Sequence, residues 1–445
     1  MSRKLRILYV AGVSPYHFAN MVLDNITALE RAGHSVDFIT CYEFEGQKAN
    51  MYSVYGLPFI LKLRNYYLKI PFLIRLRKAI WGKKAIIGQN KTIKDGCLMV
   101  HTDDRISPVP EHLLFKKLRE NYDLVVTSVW ENIISAETLN LLYKHYRAPI
   151  IIHPADMYPF TGGCQYPGNC TNYHTGCGRC PILSSDNPND QTHQNYMYKK
   201  EVYSSINCAL VTNTYMLHEA NRCGLFDHVV KKKKIFTLNE DIYRPLDMEK
   251  CRKELKIPQQ KEFILFARYV DPASSPRKGI NEMIDAINLF CENKKEEDIS
   301  KMCVVFAGGS SESIHSRIRI DVIDLGMLST EKLIKAYNAS TIFVSPSIGD
   351  AGPSMVNQAI MCGTPVVCFE IGTAIDIVDH KVNGYKAPLI DKEELAQGFE
   401  FFWGLSKQDY LATRSITRRI GLERQSLASY AKIIMEVYED LSRLS

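Results

Sequence analysis

Residues 346–385, PSIGDAGPSMVNQAIMCGTPVVCFEIGTAIDIVDHKVNGY, decide the fold. The β-branched run Ile342 to Val344 leads into them as a strand. Asp350-Ala351-Gly352-Pro353-Ser354 then reads as a loop, the next residues as a helix, Val366 to Phe369 as a second strand and Gly372-Thr373 as a turn. Strand, loop, helix and strand in that order make the repeating unit of a parallel sheet covered by helices. A loop ahead of a helix leaves N–H groups that can face an anion, although a plain helix cap at Ser354 would produce much of the same sequence.

The same alternation extends on both sides. Phe263 to Phe266 and Val304 to Phe306 are strands of the same set. An earlier set comprises Ile7 to Val10, Val36 to Thr40, Leu124 to Thr127, Ile150 to His153 and Ala209 to Thr212, separated by longer amphipathic stretches. Its first strand runs into Gly12 and a helical segment through Leu29, the opening of a doubly wound domain. The pattern breaks around Phe236 to Pro245, which places a boundary near residue 240. We therefore expect an N-terminal domain over 1–240, a C-terminal one over 241–424 and a terminal helix over 425–445. The fold class this predicts is α/β, with two Rossmann-like domains facing across a cleft.

The chain has 445 residues, 46% hydrophobic and 23% charged, which excludes disorder for its bulk. Lys and Arg total 55 against 49 acidic residues, and 55 − 49 = +6 is too modest over this length for a dedicated nucleic-acid binder. Thirteen cysteines follow an N-terminus without a secretory signal pattern, so reduced thiols and a cytoplasmic location are expected. No apolar run is long enough to span a bilayer, which leaves the surface as the only way to meet a membrane.

The charge is uneven. From Gly46 through Lys94 there is no Asp or Glu, and within 61–85 eight Lys and Arg residues interleave with Tyr66, Tyr67, Phe72 and Trp81. Such a segment suits peripheral contact with an anionic membrane face; a solvated basic helix or a basic mouth for an anionic acceptor are the other readings. The pair Asp103-Asp104 reads as a solvated turn rather than a metal-binding Asp-x-Asp.

Two stretches carry a family resemblance. Residues Pro346 to Tyr385 resemble the donor-site region of family 4 glycosyltransferases of the GT-B fold. DMYPFTGGCQYPGNCTNYHTGCGRCP, Asp156 to Pro181, resembles a cysteine-rich loop in the subgroup that builds bacterial exopolysaccharides and O-antigens. The resemblance implies transfer of a sugar from a UDP- or GDP-sugar to a glycan or lipid-linked acceptor, with retention of configuration and without a catalytic metal. A binding protein of the same fold that has lost turnover, and a sugar-nucleotide epimerase, are the alternatives.

Transfer from a sugar nucleotide needs the leaving diphosphate stabilised, and without a metal that means guanidinium, ammonium and backbone N–H donors. Arg268 and Lys278-Gly279 match the family's Arg and Lys-Gly pair, with Arg277 as a rival to Arg268 and a surface salt bridge as the plainer role for it. The family usually has two Glu residues with seven positions between them. Those columns hold Asp350 and Gln358 here, which by resemblance contact the donor sugar hydroxyls and the ribose. Ala351, Gly352, Pro353, Ser354 and the pair Gly308-Gly309 complete the donor side.

In the N-terminal domain Gly12 matches the family's glycine-rich loop beneath the diphosphate, and His17 and Asn20 follow it on the acceptor side. His17 at a helix start equally suits a structural role. The family's His before the loop Asp is Ala155 here, with His153 two residues earlier, at a strand end that can point into the cleft or the core. Asp156 is the best N-terminal catalytic candidate, as acceptor-positioning group or base; holding the Tyr158-Pro159 bend is its structural alternative.

Cys164, Cys170, Cys177 and Cys180 are spaced C-x5-C-x6-C-x2-C among five glycines. Four thiolates gathered by glycine turns suit a closed, structural zinc site, with His174 as a substitute ligand. Two disulfides, free thiols or an iron–sulfur cluster remain open at this point. The other nine cysteines read as small buried apolar residues.

Overall fold

The computed structural model describes residues 3–12, 19–43, 50–55, 90–94, 96–234, 237–273, 275–309 and 312–444. His17 and the segment 61–85 lie outside the described residues.

The chain divides into two compact units. The first comprises Met1–Val211, Ala220–Lys232 and Ala431–Ser445; the second comprises Thr212–Glu219 and Lys233–Tyr430. Each unit is built on one parallel sheet, and together they give the expected α/β class with two Rossmann-like domains.

In the first unit the strands are β1 (Arg6–Val10), β2 (Ser35–Tyr42), β3 (Met51–Tyr55), β6 (Leu124–Thr127), β7 (Ile150–Ile152), β9 (Cys208–Thr212) and β10 (Val230–Lys233). They stand in the order β10-β9-β7-β6-β1-β2-β3. The runs in β1, β6 and β7 are short, rich in Val and Ile, and buried on both faces, as a parallel sheet between helix layers demands. A smaller sheet, β4 (Asn90–Lys94), β5 (Cys97–His101) and β8 (Cys164–Tyr166), pairs antiparallel in the order β4-β5-β8 and carries the start of the cysteine-rich loop.

The second unit has β11 (Phe263–Arg268), β12 (Met302–Ala307), β13 (Asp321–Asp324), β14 (Ile342–Ser345), β15 (Val366–Phe369) and β16 (Gly384–Ala387). Their order is β13-β12-β11-β14-β15-β16. Alternate residues feed two cores. Leu265, Val304, Val344 and Val367 pack with the helices Ile280–Cys291 and Lys392–Trp403. Phe266, Val305, Phe343 and Val366 pack with Thr330–Ala339 and Ser354–Met361. Period-two alternation puts successive side chains on opposite faces, so one run of apolar residues fills both layers.

One expectation needs correction. Asp104 is not a solvated turn: it is fully buried, ion-paired at 3.1 Å with the equally buried Lys199. The expected terminal helix is present as Leu427–Leu444, and an extended Ser426 makes the break between it and the preceding helix Lys407–Gln425. Gln425 anchors that break: its carbonyl accepts from Leu238 N and Thr237 Oγ1, and its amide donates to the Asn357 carbonyl.

Candidate functional site

The strand order of the second unit reverses direction between β11 and β14. Open α/β sheets bind ligands outside the carboxyl ends of the strands at such a switch point. Arg268 ends β11, and the loop Pro346 to Pro353 follows β14, so the sequence candidates converge on this edge.

The Lys-Gly turn and the β14 loop are joined through their backbones. Ile348 and Gly349 donate N–H bonds to the Arg277 carbonyl at 2.9 and 3.2 Å, and the Arg277 guanidinium donates to the Gly349 carbonyl at 3.0 Å. Gly279 caps the helix Ile280–Cys291 at φ +68°, and a Cβ there would lie 1.7 Å from the Pro346 oxygen. Only glycine fits this left-handed position against a neighbouring backbone. Lys278 is thereby aimed at Asp350, and its Nζ donates to Asp350 Oδ2. The Arg277 guanidinium stands 3.6 Å from the same oxygen, and Gly352 N–H reaches Asp350 Oδ1 at 3.2 Å.

The residues after Asp350 are held from elsewhere in the unit. Asn213 Nδ2 donates to the Ala351 carbonyl at 2.6 Å, and Thr214 N–H donates to Asp376 at 2.8 Å. The helix Ser354–Met361 starts at Pro353, which makes no side-chain cap bond, so Ser354 is its first residue and not its cap. Gly308, at φ +122°, comes so close to Tyr269 that a Cβ would lie 2.6 Å from its carbonyl oxygen. Gly309 follows at φ +86° with open space around it.

Gln358 sits one turn along that helix between two phenols. Tyr337 Oη donates to Gln358 Oε1 at 2.8 Å, and Gln358 Nε2 donates to Tyr243 Oη at 3.4 Å. Burial pushes the Tyr337 hydroxyl well above its ordinary range, and the nearby Arg268 charge pulls it back. Arg268 is exposed and among the described residues forms no ion pair, so the plain salt-bridge role is not the one it plays here. The Arg268 charge thus acts on Tyr337, the partner of Gln358, while Arg277 stands with Lys278 at Asp350.

In the first unit Gly12 N–H donates to the Val129 carbonyl at 2.6 Å, and a Cβ on Gly12 would meet the Glu131 oxygen at 1.7 Å. Asn20 is exposed on the helix Ala19–Arg31. His153 lies in the core at 1% exposure, its N–H bonded to the Thr127 carbonyl. Asp156 is half-buried; Oδ1 accepts from Tyr158 N–H at 2.9 Å and Oδ2 from Gln165 Nε2 at 3.1 Å. Oδ1 braces the Tyr158-Pro159 bend, and Oδ2 ties it to β8.

The cysteine-rich loop is mounted on the helix Gln191–Ser205. Lys199 Nζ donates to the Tyr158 and Thr161 carbonyls, Asn195 Nδ2 to those of Thr102 and Gly162, and Asp190 accepts from Cys180 N–H. Burial pushes the Cys177 thiol up to about 12, opposed by Gly162 N–H and the Lys199 charge. Burial also raises Cys164 and Cys180, with the other thiols of the loop adding to it; the N–H groups of Leu183 and Ile182 oppose it at Cys180. The four thiols are neighbours, yet among the described residues no three His, Cys, Asp or Glu side chains are grouped as metal ligands would be. The remaining nine cysteines are buried.

Sequence reasoning missed Asn213 and the two tyrosines around Gln358. Asn213 carries a cap signal, since its Oδ1 accepts from Met216 N–H at a helix start, but its partner Ala351 is 138 residues away.

The donor-side geometry falls inside a recognisable segment. Residues 247–409 match the family described as glycosyl transferases group 1. Lys278, Asp350 and Gln358 all lie in that group 1 segment. An uncharacterized glycosyltransferase, MJ1607, of Methanocaldococcus jannaschii is 23% identical over 312 residues, 65% of this chain and 75% of that protein. Sucrose-phosphate synthase from Thermosynechococcus elongatus shares the fold at a TM-score of 0.62 and 15% identity, over 100% of both chains. Anabaena Alr3699/HepE in complex with UDP-glucose does so at 0.57 and 14%, over 99% of this chain and 100% of that one. The fold class is therefore GT-B.

Proposed function

We propose that this protein is a glycosyltransferase that moves a sugar from a UDP- or GDP-sugar to a glycan or lipid-linked acceptor, with retention of configuration, in cell-surface polysaccharide synthesis. The observation that carries the proposal is the Lys278, Arg277, Asp350 and Gly352 constellation at the switch point of a group 1 segment. A neighbour in fold holds UDP-glucose, which supports a nucleotide-sugar donor.

As the glycosidic bond breaks, negative charge grows on the outer phosphate. Lys278 and the guanidinium of Arg277, with Arg268 toward the nucleotide side, are cations fixed beforehand where that charge develops, and such groups cost no reorganisation at the moment of reaction. The carboxylate of Asp350 accepts hydrogen bonds from sugar hydroxyls. Gln358, held between Tyr337 and Tyr243, keeps one amide hydrogen and one lone pair for the ribose. This scheme needs no catalytic metal and no protein nucleophile. The acceptor side is assigned to Asp156, His17 and Asn20 from the sequence alone; His153, buried in the core, is out of reach of an acceptor. Among the described residues no helix is long and apolar enough to cross a membrane, and the basic segment 61–85 is proposed to rest on the inner membrane face, where lipid-linked acceptors would be met.

Zinc held by Cys164, Cys170, Cys177 and Cys180 belongs to the same proposal, which rests on the spacing of the four cysteines in the sequence. Burial holds Cys177 and Cys180 as thiols, so the metal itself would have to displace their protons, helped by the N–H groups directed at both sulfurs. Its role would be to stiffen the loop that follows Asp156. Metal analysis of the purified chain should give about one zinc per chain, lost in Cys177→Ser; a chain with under a tenth of that has no such site.

The decisive assay is release of UDP or GDP from a panel of nucleotide sugars mixed with lipid-linked and oligosaccharide acceptors. Acceptor-dependent release with product of unchanged anomeric configuration is expected. Silence across the panel, or conversion of the donor without an acceptor, would overturn the proposal.

A further inference from the structure

Asp350 occupies a position that suits an anionic ligand. It is only 6% exposed, yet one oxygen accepts from Lys278 and faces the Arg277 guanidinium, while the other accepts the Gly352 N–H two residues before a helix. Two cations and a backbone N–H are the donor set that binds a phosphate group. The cations themselves remain open, with Lys278 and Arg277 side chains 27% and 23% exposed. The carboxylate is thus an internal anion placed on the groups that should hold the diphosphate.

This placement has a consequence for ligand choice. A phosphate that takes Lys278 must part it from Asp350 and leave that carboxylate in poorly hydrated surroundings, which is costly unless new donors reach it. A nucleoside diphosphate brings none to it. A nucleotide sugar brings hydroxyl groups beside its phosphates, and these replace the lost ammonium bond. Resting on the proposed function, we propose that Asp350 competes with the diphosphate for Lys278 and so makes the site prefer the sugar-bearing donor over the nucleoside diphosphate product. The same competition drives product release, because Lys278 returns to Asp350 once the sugar has gone.

The backbone around the pair keeps the competitor in place. A Cβ on Gly372 would meet the Asp350 carbonyl oxygen at 2.6 Å, and Asn213 holds the Ala351 carbonyl. Asp350 can therefore release Lys278 by side-chain rotation while its backbone stays fixed.

Calorimetric titration tests this with UDP, GDP, inorganic pyrophosphate, UDP-glucose and GDP-mannose on the full chain. Asp350→Asn keeps the size and the acceptor for Gly352 N–H but drops the charge. It should bind the preferred nucleoside diphosphate, and pyrophosphate, about tenfold or more tightly than wild type. Its affinity for the nucleotide sugar should stay within about threefold or fall, so the preference for donor over product shrinks. Asp350→Ser serves as the second variant, and thermal unfolding verifies that each is folded. Unchanged or weaker diphosphate binding in both folded variants overturns the inference while leaving the donor site intact. Lys278→Met separates the two readings: if it binds diphosphate as well as wild type does, or if wild type and variants bind none of the five ligands, the donor-site reading itself fails.

Discussion

A methyl group on Gly279 would have to sit 1.7 Å from the Pro346 oxygen at a φ of +68°, so Gly279→Ala must push the Lys278 turn off the strand end. The left-handed conformation alone costs an L-residue about 1 kcal/mol, and the overlap adds to it. We expect UDP or GDP affinity to fall at least ~tenfold while the far-ultraviolet circular dichroism spectrum is kept; unchanged affinity in calorimetry would show that Lys278 does not bind the nucleotide. Lys234 offers a different test at the same scale. It is 6% exposed, donates to the Arg424 carbonyl and Ser429 Oγ, and burial lowers its ammonium from 10.5 to about 7. Between those values the unfolded chain holds more protons than the folded one, so this residue makes stability rise with pH above about 7 and fall as pH drops toward 7. The slope is at most about 1.4 kcal/mol per pH unit. Urea midpoints from pH 7 to 8.5 should rise more steeply for wild type than for Lys234→Met; parallel profiles would refute the shift. Lys278 and Asp350 were readable in the sequence because each lies in a short pattern, a Lys-Gly turn and an acid before a helix. Arg277 could not be ranked against Arg268 from spacing, since the choice depends on Arg277 O bonding to Ile348 and Gly349, some seventy residues on.

The helix Gln191–Ser205 shows how an element can be well built and still hard to read. Its sequence, QTHQNYMYKKEVYSS, buries Thr192, Asn195 and Lys199 beside Tyr196, Val202 and Tyr203, so no apolar stripe marks its inner face. That inner face is polar because it holds a loop: Asn195 and Lys199 take four carbonyls from Thr102, Tyr158, Thr161 and Gly162, and Lys199 also neutralises Asp104. Asp104 in turn accepts Ala136 N–H at the start of the helix Ala136–Tyr146, which explains why a residue expected in a solvated turn is buried. Lys199→Met would leave that carboxylate without its cation and free the loop carbonyls. A loss of about 3–5 kcal/mol is expected in denaturant unfolding, and Lys199→Met with Asp104→Asn should recover part of it by removing the stranded charge. If the double variant is less stable than the single one, Asp104 is held by something other than Lys199. By contrast, β6 and β15 were placed to the residue from sequence, because strands buried on both faces are continuous β-branched runs with turns at each end.

At the scale of the whole molecule, the two parallel sheets carry separate structural loads. The second unit has its own pair of cores on the two faces of β11 to β15, and its site is completed by Thr212–Glu219, a separate stretch of sequence that belongs to the same unit. The strand order of this unit was not legible from sequence; hydrophobic runs give the strands but not their neighbours, and the switch point between β11 and β14 exists only once the order is known. That order makes a prediction about where a ligand is felt. A molecule that binds the folded chain alone stabilises it by about 2.7 kcal/mol at a hundred times its Kd, and the protection is greatest in the segments that must open to release it. Hydrogen exchange of the full chain with saturating UDP or GDP should therefore slow most in 213–219, 268–279 and 346–358. The central strands β1, β6 and β7 should change least, because Val10, Val126 and Ile151 are already fully buried in their own sheet. Slowing that appears only in β1 to β7, with the Lys278 and Asp350 segments unaltered, would put the nucleotide in the other unit and remove the basis for reading Lys278, Asp350 and Gln358 as donor contacts.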